Sequence, residues 1–192
     1  MNVMGDIMAR IVKFSNEELM AKSVDFIKKY GYSKLTVREI ANFVGCSTQP
    51  IFKNYLNFEE FKDDLRVHLK KDFELFLNDY LYKFDYLFTL SYAYVLYAKN
   101  ESNAFSFLFM VDLSNSMNIN EVLSLDSNME IINSISKQYF LTFEKSKRFY
   151  RDIMFYIHGL ACQVACNNIV VTEKEIKKLI SNMIINLRET IK

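Results

Sequence analysis

The stretch at residues 35–61, LTVREIANFVGCSTQPIFKNYLNFEEF, contains the signals that decide the fold. Thr36 followed by Glu39 has the spacing of a capping box, so a helix is predicted to begin there. Apolar residues at helical spacing continue to Gly45, a residue type that ends helices because it adopts the left-handed conformation easily. Pro50 is the only proline of the chain. It fits the first turn of a second helix, where its missing N–H costs nothing.

The order helix, glycine turn, helix over residues 36–55 is the layout of a helix-turn-helix, whose second helix enters the major groove of DNA. Ser47 is the predicted N-cap of that second helix, which we expect to begin within residues 47–50. The alternative is that residues 36–55 are simply a pair of packed core helices. The agreement of caps and apolar spacing favours the DNA-binding interpretation.

Other capping pairs predict the remaining helices. Ser15 with Glu18 opens a helix that ends at Gly31, Asn57 with Glu60 opens a long helix reaching Tyr80, and Thr172 with Glu175 opens the last helix. Between them, apolar periodicity predicts helices and one polar loop. The predicted helices cover 84–99, 103–111, 127–143 and 146–168, and the predicted loop covers 112–126.

The predicted fold class is therefore all-α, with about nine helices. An N-terminal helix-turn-helix domain is expected over 1–56, and a larger helical domain for effector binding and dimerisation over 57–192. The chain has 192 residues, of which 51% are hydrophobic, with four glycines and one proline. This composition supports a large core of long helices joined by short loops.

The composition also bounds location and partners. The longest apolar stretches, 86–98 and 153–166, are too short to span a bilayer, and the N-terminus lacks a signal-peptide pattern. A cytoplasmic protein with reduced cysteines, and without a membrane partner, is expected. Residues 1–56 contain eight Lys and Arg against five Asp and Glu, whereas the whole chain has a net charge of +1. A more basic N-terminal third is compatible with nucleic acid at that end.

Several enzyme classes are disfavoured by the sequence. Glycines occur only at positions 5, 31, 45 and 159, so neither a Walker loop nor a glycine-rich dinucleotide turn can be assembled. The motifs HExxH, CxxC and GxSxG are absent. We therefore expect no enzymatic activity and no cofactor.

Residues 35–61, extended back through ELMAKSVDFIKKYGYSKL, resemble the signature of TetR-family transcriptional regulators. In that family a Thr-Val-Arg-Glu-Ile-Ala helix leads through Gly-Val-Ser to a recognition helix, an aromatic pair and a Lys-Glu-Glu-Leu helix start. The segment YIHGLA at 156–161 is similar, more weakly, to the helix these regulators use for dimerisation. Between the two segments the resemblance is only to a helical architecture.

The resemblance implies a set of DNA-contacting residues. Thr36 would anchor a phosphate at a helix N-terminus, and Gln49 would face base edges, where an amide pairs well with adenine. Tyr55 is expected to pack its ring in the core with its hydroxyl outward. The implied set is Thr36, Arg38, Ser47, Thr48, Gln49, Lys53, Asn54 and Tyr55. Phe52 and Phe58 depart from a tyrosine and a lysine usual in the family, so Lys53 or Lys62 would have to compensate.

The resemblance further implies a ligand-responsive repressor, a homodimer released from a palindromic DNA operator by a small-molecule effector of aromatic or lipophilic character. The effector candidates are Tyr92, Phe105, Phe109 and Tyr139, although aromatic residues at helical spacing are also ordinary core. The dimer candidates are Ile157, Gly159, Ala161, Ile180, Ile184 and Leu187. The alternative function is a helical small-molecule-binding or enzymatic protein that has lost DNA binding.

His158, Cys162 and Cys166 recur every four residues, which places an imidazole and two thiols on one helix face. This spacing suggests a zinc or thiol-sensor site, but three collinear positions cannot all reach one tetrahedral ion without bending the helix. A close helix–helix contact near Gly159 is the simpler interpretation, and no metal is expected. Cys46 is expected to be buried and to pack against the core.

Overall fold

The computed structural model describes residues 15–81, 85–111 and 117–191. These residues form ten α-helices, one 3-10 turn at Tyr32–Lys34 and no strand, so the all-α prediction is confirmed. The helices are α1 Asn16–Tyr30, α2 Val37–Val44, α3 Gln49–Asn54, α4 Phe58–Asn78, α5 Tyr86–Asn100, α6 Ser102–Phe109, α7 Ile119–Leu123, α8 Asp126–Tyr139, α9 Phe143–Ala165 and α10 Glu173–Ile191.

The predicted capping pairs begin helices where the spacing indicated. At α1 the Ser15 hydroxyl accepts from the Glu18 N–H at 3.1 Å while the Glu18 carboxylate accepts from the Ser15 N–H at 2.9 Å. The side chain of Asn57 caps α4 through the Glu60 N–H, and Thr172 with Glu175 forms the reciprocal pair at α10. Each pair satisfies backbone donors that a helix start leaves free.

Two predictions of local structure were wrong. Ser47 is not the N-cap of the second helix: α3 begins at Gln49, Thr48 occupies the cap position, and no side chain caps it. Pro50 explains this, because it fills one of the positions whose N–H a cap would bind. The predicted loop 112–126 contains α7, which Asn118 and Glu121 open with a capping box. Residues 112–116 lie outside the described residues.

The boundary between α8 and α9 also differs from the predicted one. Phe140 ends α8 with a left-handed φ of 55°, and the hydroxyl of Thr142 then caps α9. Because aromatic residues continue through this turn, apolar periodicity alone placed the end of one helix and the start of the next about three residues late.

One hydrophobic core runs through the described residues, with α5 at its centre, packed against α4, α6, α8, α9 and α10. The helix-turn-helix is braced on this core from α1. Lys28 pairs with Asp72 of α4 at 2.8 Å, Asn103 of α6 donates to the Lys28 carbonyl at 3.0 Å, and the Tyr32 ring stacks on Phe107. These contacts join residues 15–56 to the larger helical part.

Within the described residues, no helix combines the length and apolar character needed to cross a bilayer.

Candidate nucleic-acid interface

The turn between α2 and α3 holds the two helices at a defined angle. Gly45 adopts φ 82° and ψ 35°, and the N–H groups of Gly45 and Cys46 both donate to the Ala41 carbonyl at 2.9 Å. A left-handed residue is needed here, and glycine adopts that conformation without a Cβ clash. The turn is therefore closed by the Ala41 carbonyl in the last turn of α2, and α2 ends at Gly45 as the sequence predicted.

The inner faces of α2 and α3 are fully covered. The inner face of α2 is formed by Ile40, Ala41 and Val44, and Ile51 of α3 has no exposed surface. The burial of Ile51 orients α3, because its neighbours on the opposite side must then face outward. Gln49 and Lys53, which are four residues apart and thus neighbours on one helix face, are both exposed.

Other predicted DNA-contacting residues lie beside this face. Thr36 and Arg38, at the start of α2, are exposed, as is Ser47 in the turn, while Thr48 is half-buried. The Thr36 hydroxyl accepts from the Glu39 N–H at 3.2 Å, so it caps α2. The N-terminal turns of α2 and α3 therefore present exposed polar side chains.

Tyr55 and Asn54 make contacts within the protein instead of presenting free groups. The Tyr55 ring is buried. Its hydroxyl donates to the Asp64 carboxylate at 2.5 Å and accepts from the side-chain amide of Asn16 at 3.0 Å. Burial, followed by the bond to Asp64, raises the pKa of Tyr55 to about 12. The Asn54 amide donates to Asn16 Oδ1 at 3.2 Å. The ring is buried as predicted, whereas the hydroxyl, which was predicted to point outward, is bound inside the protein.

The two departures from the family pattern have different structural consequences. Phe52 is 54% exposed on α3, whereas Phe58 stacks on Phe61 with ring centroids 5.4 Å apart. Lys62 pairs with Glu59 at 2.6 Å and its Nζ lies 5.8 Å from the Phe58 ring, so this lysine is engaged. Among the described residues no ion pair includes Lys53. Of the two lysines that the resemblance offered as replacements, Lys62 is thus held by Glu59, whereas Lys53 is exposed.

Three of the four effector candidates, Tyr92, Phe105 and Phe109, belong to one chain of ring contacts that runs through Tyr80, Phe76, Tyr97 and Phe73, whereas Tyr139 contacts the ring of Phe149. The Tyr92 hydroxyl donates to Glu173 at 2.6 Å beside Phe88, and the Tyr139 hydroxyl donates to Asp85 at 3.2 Å beside Phe149. Phe105 and Phe109 instead contact each other and Tyr94. The two tyrosine hydroxyls thus bind carboxylates of the protein itself.

A polar cluster of Tyr94, His158 and Cys162 lies beside Phe105. The Tyr94 hydroxyl is 3.0 Å from Nδ1 of His158, and Nε2 of the same ring is 3.4 Å from the Cys162 sulfur. His158 and Cys162 were visible as neighbours in sequence spacing, but Tyr94 is on α5, 64 residues away. In the described part of the chain, no group of three or more His, Cys, Asp and Glu is arranged to hold a metal ion.

The predicted dimer residues fall into two groups. Four of them lie in the protomer's own core with at most 6% exposure, namely Ile157, Ala161, Ile180 and Ile184, so they have almost no surface to offer a second chain. Gly159 is exposed and Leu187 is half-buried. Within the protomer these four residues pack where α9 and α10 contact α5 and each other, and a dimer through them stays a prediction.

The exposed apolar surface of α9 and α10 consists of other residues. An open groove of about 470 Å³ runs along it, and its lining is Phe155, Tyr156, Gly159, Leu160, Gln163 and Leu179. Phe155 is 58% exposed. A Cβ placed on Gly159 would meet no atom within 4 Å, so this side of α9 is open in the protomer.

No protein-family model matches the chain, and no curated protein matches it significantly.

Proposed function

We propose that the chain is a sequence-specific DNA-binding transcriptional regulator of the TetR type, a homodimeric repressor whose operator affinity responds to a small molecule. One observation carries the proposal: Gln49 and Lys53 are exposed together on α3 while Ile51, on the opposite side, is fully buried. An exposed polar face on the second helix of a helix-turn-helix is the surface that enters the major groove.

The two residues have different parts in this proposal. Gln49 is the first residue of α3, and N-terminal side chains of a recognition helix contact base edges. Its amide can bind adenine through two hydrogen bonds. Lys53, one turn later, has the long charged side chain suited to a phosphate, together with Arg38 and the capped N-terminus of α2. Tyr55 and Asn54 support the interface from behind by joining α3 to α1.

A homodimer is proposed because two recognition helices must reach half-sites about 34 Å apart on a palindromic operator. The groove on α9 and α10 offers an apolar surface for this contact, centred on Phe155 and Leu179. A two-fold contact would place each groove against its own copy, and the absence of a side chain at Gly159 would allow α9 to approach closely.

The proposed response to an effector runs through α4. Asp72 accepts from Lys28 of α1 at 2.8 Å and from the Tyr97 hydroxyl of α5 at 3.5 Å, so one carboxylate connects the DNA-binding end with the central helix. A ligand that shifts α5 or α6 would change this contact and with it the position of the helix-turn-helix. A coupling of about 1–3 kcal/mol changes affinity roughly 5- to 150-fold.

The deciding experiment is a gel-shift titration with DNA from the upstream region of the protein's own gene, with scrambled DNA of equal length for comparison. The double variant Gln49→Ala with Lys53→Ala should abolish the shift, whereas Lys178→Ala, an exposed lysine on α10, should leave it unchanged. Equal shifts of the wild type and the double variant would contradict the proposed interface. Failure of the wild type to shift either DNA at low salt would contradict the DNA-binding function itself.

A further inference from the structure

Three side chains from two helices form a continuous hydrogen-bonded chain on the inner edge of α9. Tyr94 of α5 contacts Nδ1 of His158 at 3.0 Å, and Nε2 of His158 contacts the Cys162 sulfur at 3.4 Å. A nucleophile within reach of a base, with the base oriented by a third group, is the arrangement that activates side-chain nucleophiles. The cysteine is therefore part of an assembled constellation.

The direction of both hydrogen bonds depends on which nitrogen of the His158 ring carries the hydrogen. If Nδ1 carries the ring hydrogen, it donates to the Tyr94 oxygen, and Nε2 is left as the acceptor for the Cys162 S–H. Burial lowers the pKa of His158, and burial raises the pKa of the Cys162 thiol. Both shifts favour a neutral thiol facing a neutral imidazole at pH 7 and disfavour a resting thiolate–imidazolium pair, so the proton must leave the sulfur during its attack on the electrophile.

We propose that Cys162 is a nucleophilic thiol that adds to α,β-unsaturated carbonyl compounds, with His158 as the proton acceptor. In this step the S–H proton moves to Nε2, the sulfur forms a bond to the β-carbon, and the electron pair of the C=C bond moves onto the carbonyl as an enolate. The imidazolium then returns the proton to the enolate. The net reaction is addition of S–H across the double bond, and it needs no oxidant.

The surroundings select this ligand class. The ring centroids of Tyr94 and Phe105 lie 6.3 Å and 6.1 Å from the centroid of the His158 ring. An uncharged, flat and soft electrophile, such as an enone or a quinone, fits these contacts. Cys162 is half-exposed and lies three residues after Gly159, at the edge of the open side of α9, so a small molecule can reach the sulfur.

Cys166 provides an internal control. It lies one turn after Cys162 on the same helix edge and is the more exposed of the two thiols. On accessibility alone Cys166 should react faster. On the proposed chemistry Cys162 should react faster, because only Cys162 contacts the imidazole of His158.

The experiment uses two single-cysteine forms of the full chain, Cys46→Ser with Cys166→Ser, and Cys46→Ser with Cys162→Ser. The probe is 1,4-benzoquinone at pH 7, and adduct formation is followed by intact-protein mass spectrometry. We expect Cys162 to react faster than Cys166. His158→Gln should slow Cys162 by about tenfold or more, because the raised pKa of this thiol leaves little thiolate at pH 7 and the variant lacks the base that takes up the proton. The same substitution should leave Cys166 unchanged.

Tyr94→Phe is the second variant, since it removes only the orienting hydroxyl and keeps the ring. It should slow Cys162 without changing the rate of Cys166, a difference that a general loss of packing would not produce. All rates are repeated in the Phe155→Arg background, so that a second chain covering α9 cannot hide the thiol. A Cys162 rate at or below that of Cys166 in both backgrounds, or a rate that neither His158→Gln nor Tyr94→Phe changes, would overturn the proposal.

Discussion

The Tyr55 hydroxyl donates a 2.5 Å hydrogen bond to the Asp64 carboxylate, which joins the end of α3 to α4. The same hydroxyl accepts from Asn16 at the start of α1, so one buried tyrosine connects three helices around the proposed DNA-binding unit. Tyr55, the residue that follows α3, is thus held against the core, while Gln49 and Lys53 of α3 face solvent.

We expect Tyr55→Phe to lower the free energy of unfolding by about 1.5 kcal/mol, because the ring remains while a hydrogen bond to a charged group is lost. The measurement is urea denaturation followed by circular dichroism. Tyr30→Phe, at a tyrosine that is 43% exposed, is the matched control and should change little. Equal stability of Tyr55→Phe and the wild type would show that the hydroxyl does not contribute to holding α3.

If α3 is the recognition helix, Gln49→Ala and Lys53→Ala should change DNA binding in different ways. Gln49→Ala should cost about 1–3 kcal/mol on the operator and relax preference at one base pair. Lys53→Ala should weaken all sequences alike and reduce the slope of affinity against salt by about one, because one fewer phosphate is neutralised. A salt titration of operator and scrambled DNA with both variants measures this. The opposite pattern would mean that the two residues exchange roles, and no effect from either would exclude α3 as the recognition helix.

The proposed dimer surface predicts that Phe155→Arg yields a monomer. A charge placed in the centre of an apolar contact leaves it buried without a partner, which opposes association. Sedimentation equilibrium at micromolar concentration gives the molecular weight directly. Phe140→Arg is the control, because Phe140 is 96% exposed at the turn between α8 and α9. A wild-type protein that sediments as a monomer would contradict the dimer.

The neutral state of His158 predicts sensitivity to acid. Burial lowers its pKa in the fold below the ordinary value of 6.5, so the unfolded chain binds this proton at a higher pH than the folded chain does. The contribution of the neutral ring to the free energy of unfolding is therefore complete above pH 6.5. It is lost as the pH falls from 6.5 toward the lower pKa that His158 has in the folded protein. The titratable groups that contact the ring are Tyr94 of α5 and Cys162 of α9.

The test compares the free energy of unfolding at pH 7.5 and pH 5.5, again by urea denaturation. His158→Gln should lose less stability between the two pH values than the wild type does. His68→Gln is the control, because His68 is the other histidine of the chain and does not contact the Tyr94–His158–Cys162 cluster; its Nδ1 lies 3.3 Å from the Asp64 carboxylate. An identical loss in the wild type and His158→Gln would show that His158 is not the acid-sensitive group.

Capping pairs and the glycine turn were readable from the sequence because each acts over three or four residues. Ser15 with Glu18, Thr172 with Glu175 and the left-handed Gly45 act through backbone groups close to them in the chain. The overlooked pair Asn118 and Glu121 belongs to the same class, so α7 could also have been predicted. Local hydrogen bonds of this kind determine where helices begin and end, and together with the apolar periodicity they determine the all-α fold.

The tertiary structure decided which partners those helices bring together. Tyr55 contacts Asn16, which is 39 residues away in the sequence, and Tyr94 contacts His158, which is 64 residues away. No local sequence pattern predicts contacts between residues so far apart. It also decided that Ile157 and Ile180 face the protomer's own core while Phe155 faces outward. A helical apolar stripe reports that a face is covered, but only the packing of the other helices determines whether the same chain or a second one covers it.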